Sequence, residues 1–300
     1  SYFNEGATYW DLYTHKLAEE RLPNALHYNR QLLQLNAGYL DDLLEPYRTI
    51  NVVDIGPGNA MPVKQLLAHL IERDKMGRYI AIDISQDMLN IAKHNIESWY
   101  GDAIRYEGHV RDINYDRFND LLMSESFGKE GVVNLILFLG DTISNFRDSD
   151  HSLTVIHDSM GKNDILVFTG KLDTEKSRRY FDFNVSTKDP KLGFRGKAML
   201  DLLGIDSSFY TLEELFNEEK RARQRQIRLK VSLSLEFELA GERHMIELHK
   251  DEALLLWRAR HRNAIEIINE FDRNNFETLQ ATQTKDQQYF EVIAKIKSAR

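Results

Sequence analysis

Short apolar runs alternate with stretches of helical period through the first 170 residues of the chain. The apolar runs lie at residues 52–55, 78–83, 132–139 and 164–170, and a more polar strand unit lies at residues 104–113. The run at 132–139 is the most apolar, which is typical of a central strand in a parallel sheet covered on both faces. Alternation of this kind predicts an α/β fold with a mostly parallel sheet.

The pattern changes after residue 171 and predicts a second, smaller α+β lobe. A charged helix is expected from 212 to about 223, followed by two runs of strict period two at 227–239 and 244–249. Because Gly241 separates these runs, they predict an antiparallel hairpin with one buried face. A helix is then expected from 251 to 271.

The two ends of the chain complete the predicted organisation. Apolar residues of residues 2–44 recur at intervals of three and four, which predicts two or three helices. The runs at 276–281 and 289–296 are expected to pair at the edge of the first sheet, which makes the second lobe an insertion. We therefore predict a cofactor domain from residues 45–172 and 251–300, and a substrate lobe from 1–44 and 173–250.

A glycine-rich turn follows the first run, in the sequence Asp54-Ile55-Gly56-Pro57-Gly58. Glycine permits backbone angles and close ligand approach that other residues hinder. A dinucleotide fingerprint needs a third glycine shortly afterwards, but the next glycine is Gly77. The spacing therefore argues against NAD and FAD and fits the D-x-G-x-G loop of S-adenosylmethionine (SAM) enzymes, with Asp54, Gly56 and Gly58 as cofactor-binding residues.

Acidic residues stand at the ends of the next two units. Asp83 ends the second run, where a carboxylate is placed to accept hydrogen bonds from both ribose hydroxyls of an adenosyl ligand. Asp112 follows the third unit, where such enzymes receive the adenine amino group. A plain turn role explains Asp112 almost as well.

Composition narrows the function classes. The 300 residues are 42% hydrophobic, include no cysteine and carry a formal net charge of −8. The absence of cysteine excludes thiolate catalysis and cysteine-ligated metals, and the acidic balance argues against binding to a nucleic-acid backbone. The basic string at 220–225 is read as a solvated helix end. With no apolar run of about 18 residues and no recognisable signal peptide at Ser1, we expect no membrane segment and a cytoplasmic location.

The segment at residues 138–146, FLGDTISNF, resembles the F-L-G-S-x-I-G-N-F segment of the histidine-specific methyltransferase family. The best-known member of that family makes the trimethylated histidine betaine on the way to ergothioneine. The similarity extends from Tyr2-x-x-x-Gly6 to Gly241-Glu242-x-x-x-x-Glu247. It implies a Rossmann-like class I methyltransferase sheet, SAM as cofactor and a small amine or amino acid as substrate.

The resemblance also implies roles for individual residues. Cofactor contacts are implied for Gly56, Lys64, Asp83, Asp112 and Gly140. Catalytic and substrate-binding roles are implied for Asn145, Tyr180 and Glu247, and further substrate contacts for Tyr2 and Tyr28.

The side-chain pocket departs from the family at Leu229, where methionine is usual, and at His249, where serine is usual. The expected activity is therefore N-methylation of histidine or a related small amino acid. The alternatives are another amino acid, an aromatic amine such as a tryptophan derivative, or SAM binding without turnover. Methyl transfer is an in-line displacement that needs positioning and a neutral amine, so no metal is expected. The oligomeric state is left open.

Overall fold

The computed structural model describes residues 11, 12, 15, 19, 24–126, 130–140, 143, 148–174, 192, 194–217, 222–239, 242–260 and 262–298. The chain divides into two compact units. The larger comprises Tyr2–Thr174 and Arg262–Arg300, and the smaller comprises Glu175–His261. In the described part of the chain, no helix is both long and apolar enough to cross a membrane.

The strands of the larger unit form one seven-stranded sheet. The described strands of both units are β1 Thr49–Ile55, β2 Met76–Asp83, β3 Arg105–Val110, β4 Val132–Phe138, β5 Ile165–Lys171, β6 Tyr210–Asn217, β7 Ala222–Leu229, β8 Leu233–Leu239, β9 Glu242–Leu248, β10 Ala253–Arg260, β11 Phe276–Gln283 and β12 Tyr289–Ile296. The order of the strands in the large sheet is β11-β12-β5-β4-β1-β2-β3. Strands β1 to β5 run parallel to one another, and β12 runs antiparallel to both β5 and β11, as predicted.

Helices cover both faces of the large sheet. The described α-helices are α1 Ala25–Leu35, α2 Ala37–Leu44, α3 Lys64–Glu72, α4 Gln86–Tyr100, α5 Asn119–Ser126, α6 Ser149–Ser159, α7 Phe194–Leu202 and α8 Ala264–Arg273. One core cluster surrounds Leu135 with side chains of α1 to α4, and the other surrounds Ile136 with side chains of α5, α6 and α8. Both residues are fully buried. Burial on both faces explains why the central strand, β4, is apolar at every position except Asn134.

The smaller unit contains more strand than its sequence predicted. The helix expected from 212 to 223 is wrong, because β6 and β7 occupy this region as an antiparallel pair. Glu214 on β6 accepts from Arg225 Nε on β7 at 2.6 Å, so charges that suggested a solvated helix end form pairs across strands. The expected run at 227–239 breaks between β7 and β8, whereas the hairpin of β8 and β9 is confirmed.

The region expected to be a helix from 251 to 271 begins with a strand. β10 pairs with β7 and completes a three-stranded sheet in the order β10-β7-β6. Leu254 and Leu256 on β10 pack against the buried cluster around Ile227, which explains why this apolar stretch is a strand. Helix α8 begins only at Ala264, where Asn263 and Glu266 form a capping box.

The unit boundaries also differ from the predicted domains. Helices α1 and α2 belong to the larger unit, because the ring of Tyr28 stacks on Tyr289 at 4.5 Å and Asn36 Nδ2 donates to Glu291 at 2.6 Å. Strand β10 belongs to the smaller unit through its pairing with β7. Neither contact has a signature in the local sequence.

Candidate active site

The loop after β1 adopts the backbone conformation that its glycines suggested. Gly56, Gly58 and Ala60 have φ angles of 67°, 57° and 60°, in the left-handed region. Gly56 N–H donates to the carbonyl of Ile82 at 2.8 Å, which ties the loop to the end of β2. A short 3₁₀ turn, Met61–Val63, separates the loop from α3. The loop therefore runs across the carboxyl edge of the sheet before the helix begins.

The left-handed backbone predicts unequal effects on stability for two substitutions in this loop. Gly58→Ala is expected to lower the free energy of unfolding by about 1–2 kcal/mol, the cost of this conformation for a residue with a Cβ. Ala60→Gly relieves the same strain and is expected to change stability by less than about 0.5 kcal/mol, because glycine adds unfolded-state entropy. Urea unfolding of both variants measures the difference. Equal losses would contradict a conformational role for Gly58.

Asp54 lies at the base of this loop and is almost completely buried. Its Oδ2 accepts a hydrogen bond from the Tyr79 hydroxyl at 2.6 Å. Burial raises the pKa of Asp54 to about 7, although the bond from Tyr79 acts in the opposite direction. The negative charge of Asp83 is a smaller contribution to this increase. The carboxyl group of Asp54, on β1, is therefore held against β2 just before the glycine loop.

Asp83 lies at the end of β2 and is half-buried. Its Oδ1 accepts from Ser85 N–H at 2.9 Å, and burial raises the pKa of its carboxyl group. A carboxylate offers about four acceptor positions, so Asp83 retains the capacity to bind a pair of neighbouring hydroxyls. Its own carbonyl accepts from Arg111 N–H at 3.0 Å, which holds the residues after β3 beside it.

Asp112 follows β3 and stands in a turn. Its Oδ1 accepts from both the backbone N–H of Asn114, at 3.0 Å, and the Asn114 side-chain amide, at 2.7 Å. This geometry supports the turn role directly. It leaves Oδ2 as the oxygen that could receive an adenine amino group, so the two roles are compatible.

Gly140 follows β4 with a φ of 81°. Its N–H donates to Thr169 Oγ1 at 2.8 Å, and that hydroxyl donates to Asn29 Oδ1 at 2.6 Å. Asn29 and Thr169 are buried and were missed by the sequence interpretation. The signal for Thr169 in the sequence is weak, a threonine at the end of an apolar strand. There is none for Asn29, because this residue lies on α1, more than 100 positions before Gly140.

Two further predicted residues have partners within the larger unit. The Lys64 ammonium lies 4.5 Å from the centre of the Trp99 ring, at the packing surface of α3 and α4. The Tyr28 hydroxyl donates to Asp286. In the smaller unit, Glu247 is exposed on β9 opposite Ser234, on the polar face of the hairpin. The predicted residues Tyr2, Asn145 and Tyr180 lie outside the described residues.

The residues at this edge have the chemistry that an adenosyl ligand requires: a glycine loop for close approach and carboxylates for hydroxyl and amino groups. The model of the histidine-specific, SAM-dependent methyltransferases matches residues 26–296. The chain belongs to this family. It is a SAM-dependent methyltransferase, and its cofactor is S-adenosylmethionine, as the D-x-G-x-G loop predicted.

Solved structures agree with this fold. A SAM-dependent methyltransferase from Clostridium acetobutylicum matches this methyltransferase with a TM-score of 0.54 at 10% identity, over 98% of this chain and 100% of that chain. The PH0226 protein from Pyrococcus horikoshii matches with a TM-score of 0.51 at 12% identity, over 91% and 93%. At such identities the likeness shows the class I methyltransferase fold alone. No curated protein gives a significant match to the chain.

Proposed function

We propose that this methyltransferase N-methylates the amino group of histidine or a related small amino acid. The observation that supports this proposal is the extent of the family match. It runs from residue 26 to residue 296 and so includes the smaller unit with the β8–β9 hairpin that carries Glu247. In the same proposal, Gly56, Asp83 and Gly140 at the carboxyl edge of the sheet bind the methyl donor.

In this proposal the substrate residues position and select the amine. Asn145 and Tyr180 orient the amino group or the carboxylate, Glu247 binds the side chain, and Tyr2 adds a contact to the carboxylate. Because the Tyr28 hydroxyl is already bound by Asp286, Tyr28 contributes through its ring and its fixed position.

The reaction needs a neutral amine and an aligned methyl group. SAM supplies an electrophilic methyl group on its sulfonium sulfur. The reference pKa of an α-amino group is near 8, so a modest change of environment populates the free base at neutral pH. Alignment of two bound reactants is then the main task of the protein, and it can account for several orders of magnitude in rate.

The second candidate acceptor is another amino acid or an aromatic amine such as a tryptophan derivative. Of the two positions that depart from the family, His249 favours it and Leu229 does not. Leu229 is buried in the core of the smaller unit, so its difference from methionine is a change in packing. His249 is exposed just after β9, and its backbone N–H donates to Glu252 Oε2 at 2.8 Å. Its imidazole presents a bulkier, polar surface two residues from Glu247.

Substitutions at the two proposed substrate residues are expected to have different kinetic effects. Asn145→Ala should lower kcat/KM by about 100-fold, because misplacing a reacting group costs about this much. Glu247→Gln should raise the KM for histidine by about tenfold through the loss of one charged hydrogen bond. Methyl transfer from SAM to a panel of amino acids and aromatic amines measures both effects.

Glu236→Gln is the matched control for Glu247, since both residues are exposed on the same face of the hairpin. Undiminished transfer with Asn145→Ala would remove Asn145 from the site. Equal effects of the two glutamate substitutions would remove Glu247 as the selecting residue. Calorimetry with SAM followed by candidate amines tests the non-catalytic alternative, which predicts SAM uptake without methylated product.

A further inference from the structure

The carboxyl ends of β1 and β4 flank the point where a ligand is expected to bind in this sheet. β1 and β4 are neighbours, with Asp54 paired to Leu137, and the strand order reverses between them. In open α/β sheets, ligands bind in the crevice outside the carboxyl ends at such a reversal. The loop after β1 carries Gly56 and Gly58, and Gly140 is the second residue after β4.

Helix α1 binds the first of these loops. Arg30 donates from both Nε and Nη2 to the carbonyl of Met61, at 3.3 and 3.1 Å. Met61 follows Ala60, the last left-handed residue of the loop. Two donors on one acceptor fix the distance and the direction of this carbonyl relative to α1.

Asn29, the preceding residue of α1, is linked to Gly140. Asn29 Oδ1 accepts from the Thr169 hydroxyl, whose oxygen accepts from Gly140 N–H. The Asn29 amide also lies directly over Gly140, because a Cβ at that glycine would be 3.6 Å from Asn29 Nδ2. The buried side chains of Asn29 and Thr169 therefore determine the orientation of the Gly140 N–H group.

Helix α1 is itself held firmly on the sheet. Tyr28 stacks on Tyr289 at its first turns, and Asn36, which ends it, donates to Glu291 on β12. Leu32 and Leu33 are buried between these two anchors. A helix fixed at both ends can transmit a defined position to the groups that it binds.

We infer that Asn29, Arg30 and Thr169 are positioning residues for the cofactor: Asn29 and Arg30 of α1, together with Thr169 of β5, hold the loop after β1 and Gly140 at a fixed separation on either side of the bound SAM. None of the three needs to contact SAM. Their effect is exerted through the backbone of Met61 and Gly140. This positioning is the same for any methyl acceptor.

Calorimetric binding of S-adenosylhomocysteine, the demethylated product, tests this inference without an acceptor. Arg30→Met and Thr169→Val remove the two contacts with little change in volume. Each is expected to raise the Kd of S-adenosylhomocysteine by about tenfold, as expected for a lost buried hydrogen bond that orders a binding loop. Thr169→Ser retains the hydroxyl and should restore most of the affinity.

Gln31→Met is the matched control, because Gln31 is an exposed neighbour on the same helix. Thermal unfolding of each variant separates positioning from stability. If α1 only covers the core, the substitutions should lower Tm and leave the Kd of S-adenosylhomocysteine unchanged. A Kd within about twofold of the parent in both folded variants would overturn the inference. If Thr169→Val does not fold, the half-buried Arg30→Met decides the result.

Discussion

Replacing Asp83 with asparagine is expected to weaken cofactor binding by about 100-fold, the largest loss that we expect from one substitution in the cofactor site. In the proposed arrangement, the carboxylate accepts both ribose hydroxyls of SAM. Asparagine retains one acceptor oxygen and places a donor where the second hydroxyl also donates. The loss of charge and of one acceptor together account for this magnitude. Calorimetric titration with S-adenosylhomocysteine measures the change.

The same substitution should not destabilise the protein without ligand. Burial already disfavours the charged form of Asp83, as the raised pKa of its carboxyl group indicates, and its charge also raises the pKa of Asp54. Asp87→Asn is the control, because Asp87 is exposed in the first turn of α4 and loses the same charge. A Kd that changes less than about threefold in Asp83→Asn would remove Asp83 from the ribose site.

Replacing Glu291 with glutamine is expected to stabilise the protein at pH 8 by about 3 kcal/mol. Glu291 is only 1% exposed. Its Oε1 accepts from Asn36 at 2.6 Å, whereas its buried Oε2 has no hydrogen-bond partner among the described residues. Burial raises the pKa of this carboxyl group from 4.5 to about 7, and the bond from Asn36 offsets only part of that effect. Glutamine keeps an acceptor for Asn36 without a buried charge.

The pH dependence follows from the direction of this shift. Because the pKa is higher in the folded state, the protonated carboxyl group stabilises the fold below about pH 4.5, and this contribution is lost as the pH rises through about 7. The advantage of Glu291→Gln should therefore shrink to less than about 1 kcal/mol at pH 5. Urea unfolding at both pH values measures it. Glu277→Gln, on the exposed side of β11, is the control, and an equal gain at both pH values would contradict the buried charge.

The conformation of the loop after β1 and the placement of Asp83 could be predicted because their signals are local. A left-handed turn needs glycine within a few residues of the strand that it follows, so Gly56 and Gly58 mark the loop in the sequence. An acid at the end of a parallel strand lies at the carboxyl edge of the sheet, where ligands bind in such folds, and this placed Asp83 at that edge. Apolar runs likewise located four of the five parallel strands, β1, β2, β4 and β5, whereas β3 is more polar.

Predictions failed where pairing between strands decides the structure. Residues 212–217 carry two adjacent glutamates, which favoured a helix by composition, but Arg225 and Arg228 on the next strand pair with them. β10 is a strand because β7 lies beside it. In both places pairing with a neighbouring strand overrides the weak helical preference of the segment.

The sequence by itself determined the fold class, the methyl donor and the conformation of the glycine loop after β1. It did so because backbone conformation, strand burial and the position of a strand end are properties of short segments. Only the tertiary structure decided that α1 belongs to the larger unit and that Asn29 and Thr169 fix Gly140. The physical reason is that these contacts join residues from separate elements, 140 positions apart for Asn29 and Thr169 and 29 for Thr169 and Gly140, whose meeting depends on the packing of the whole sheet. The conformation of the loop after Asp54 is therefore predictable from the sequence, whereas the contacts from Arg30 that hold this loop in place are visible only in the structure.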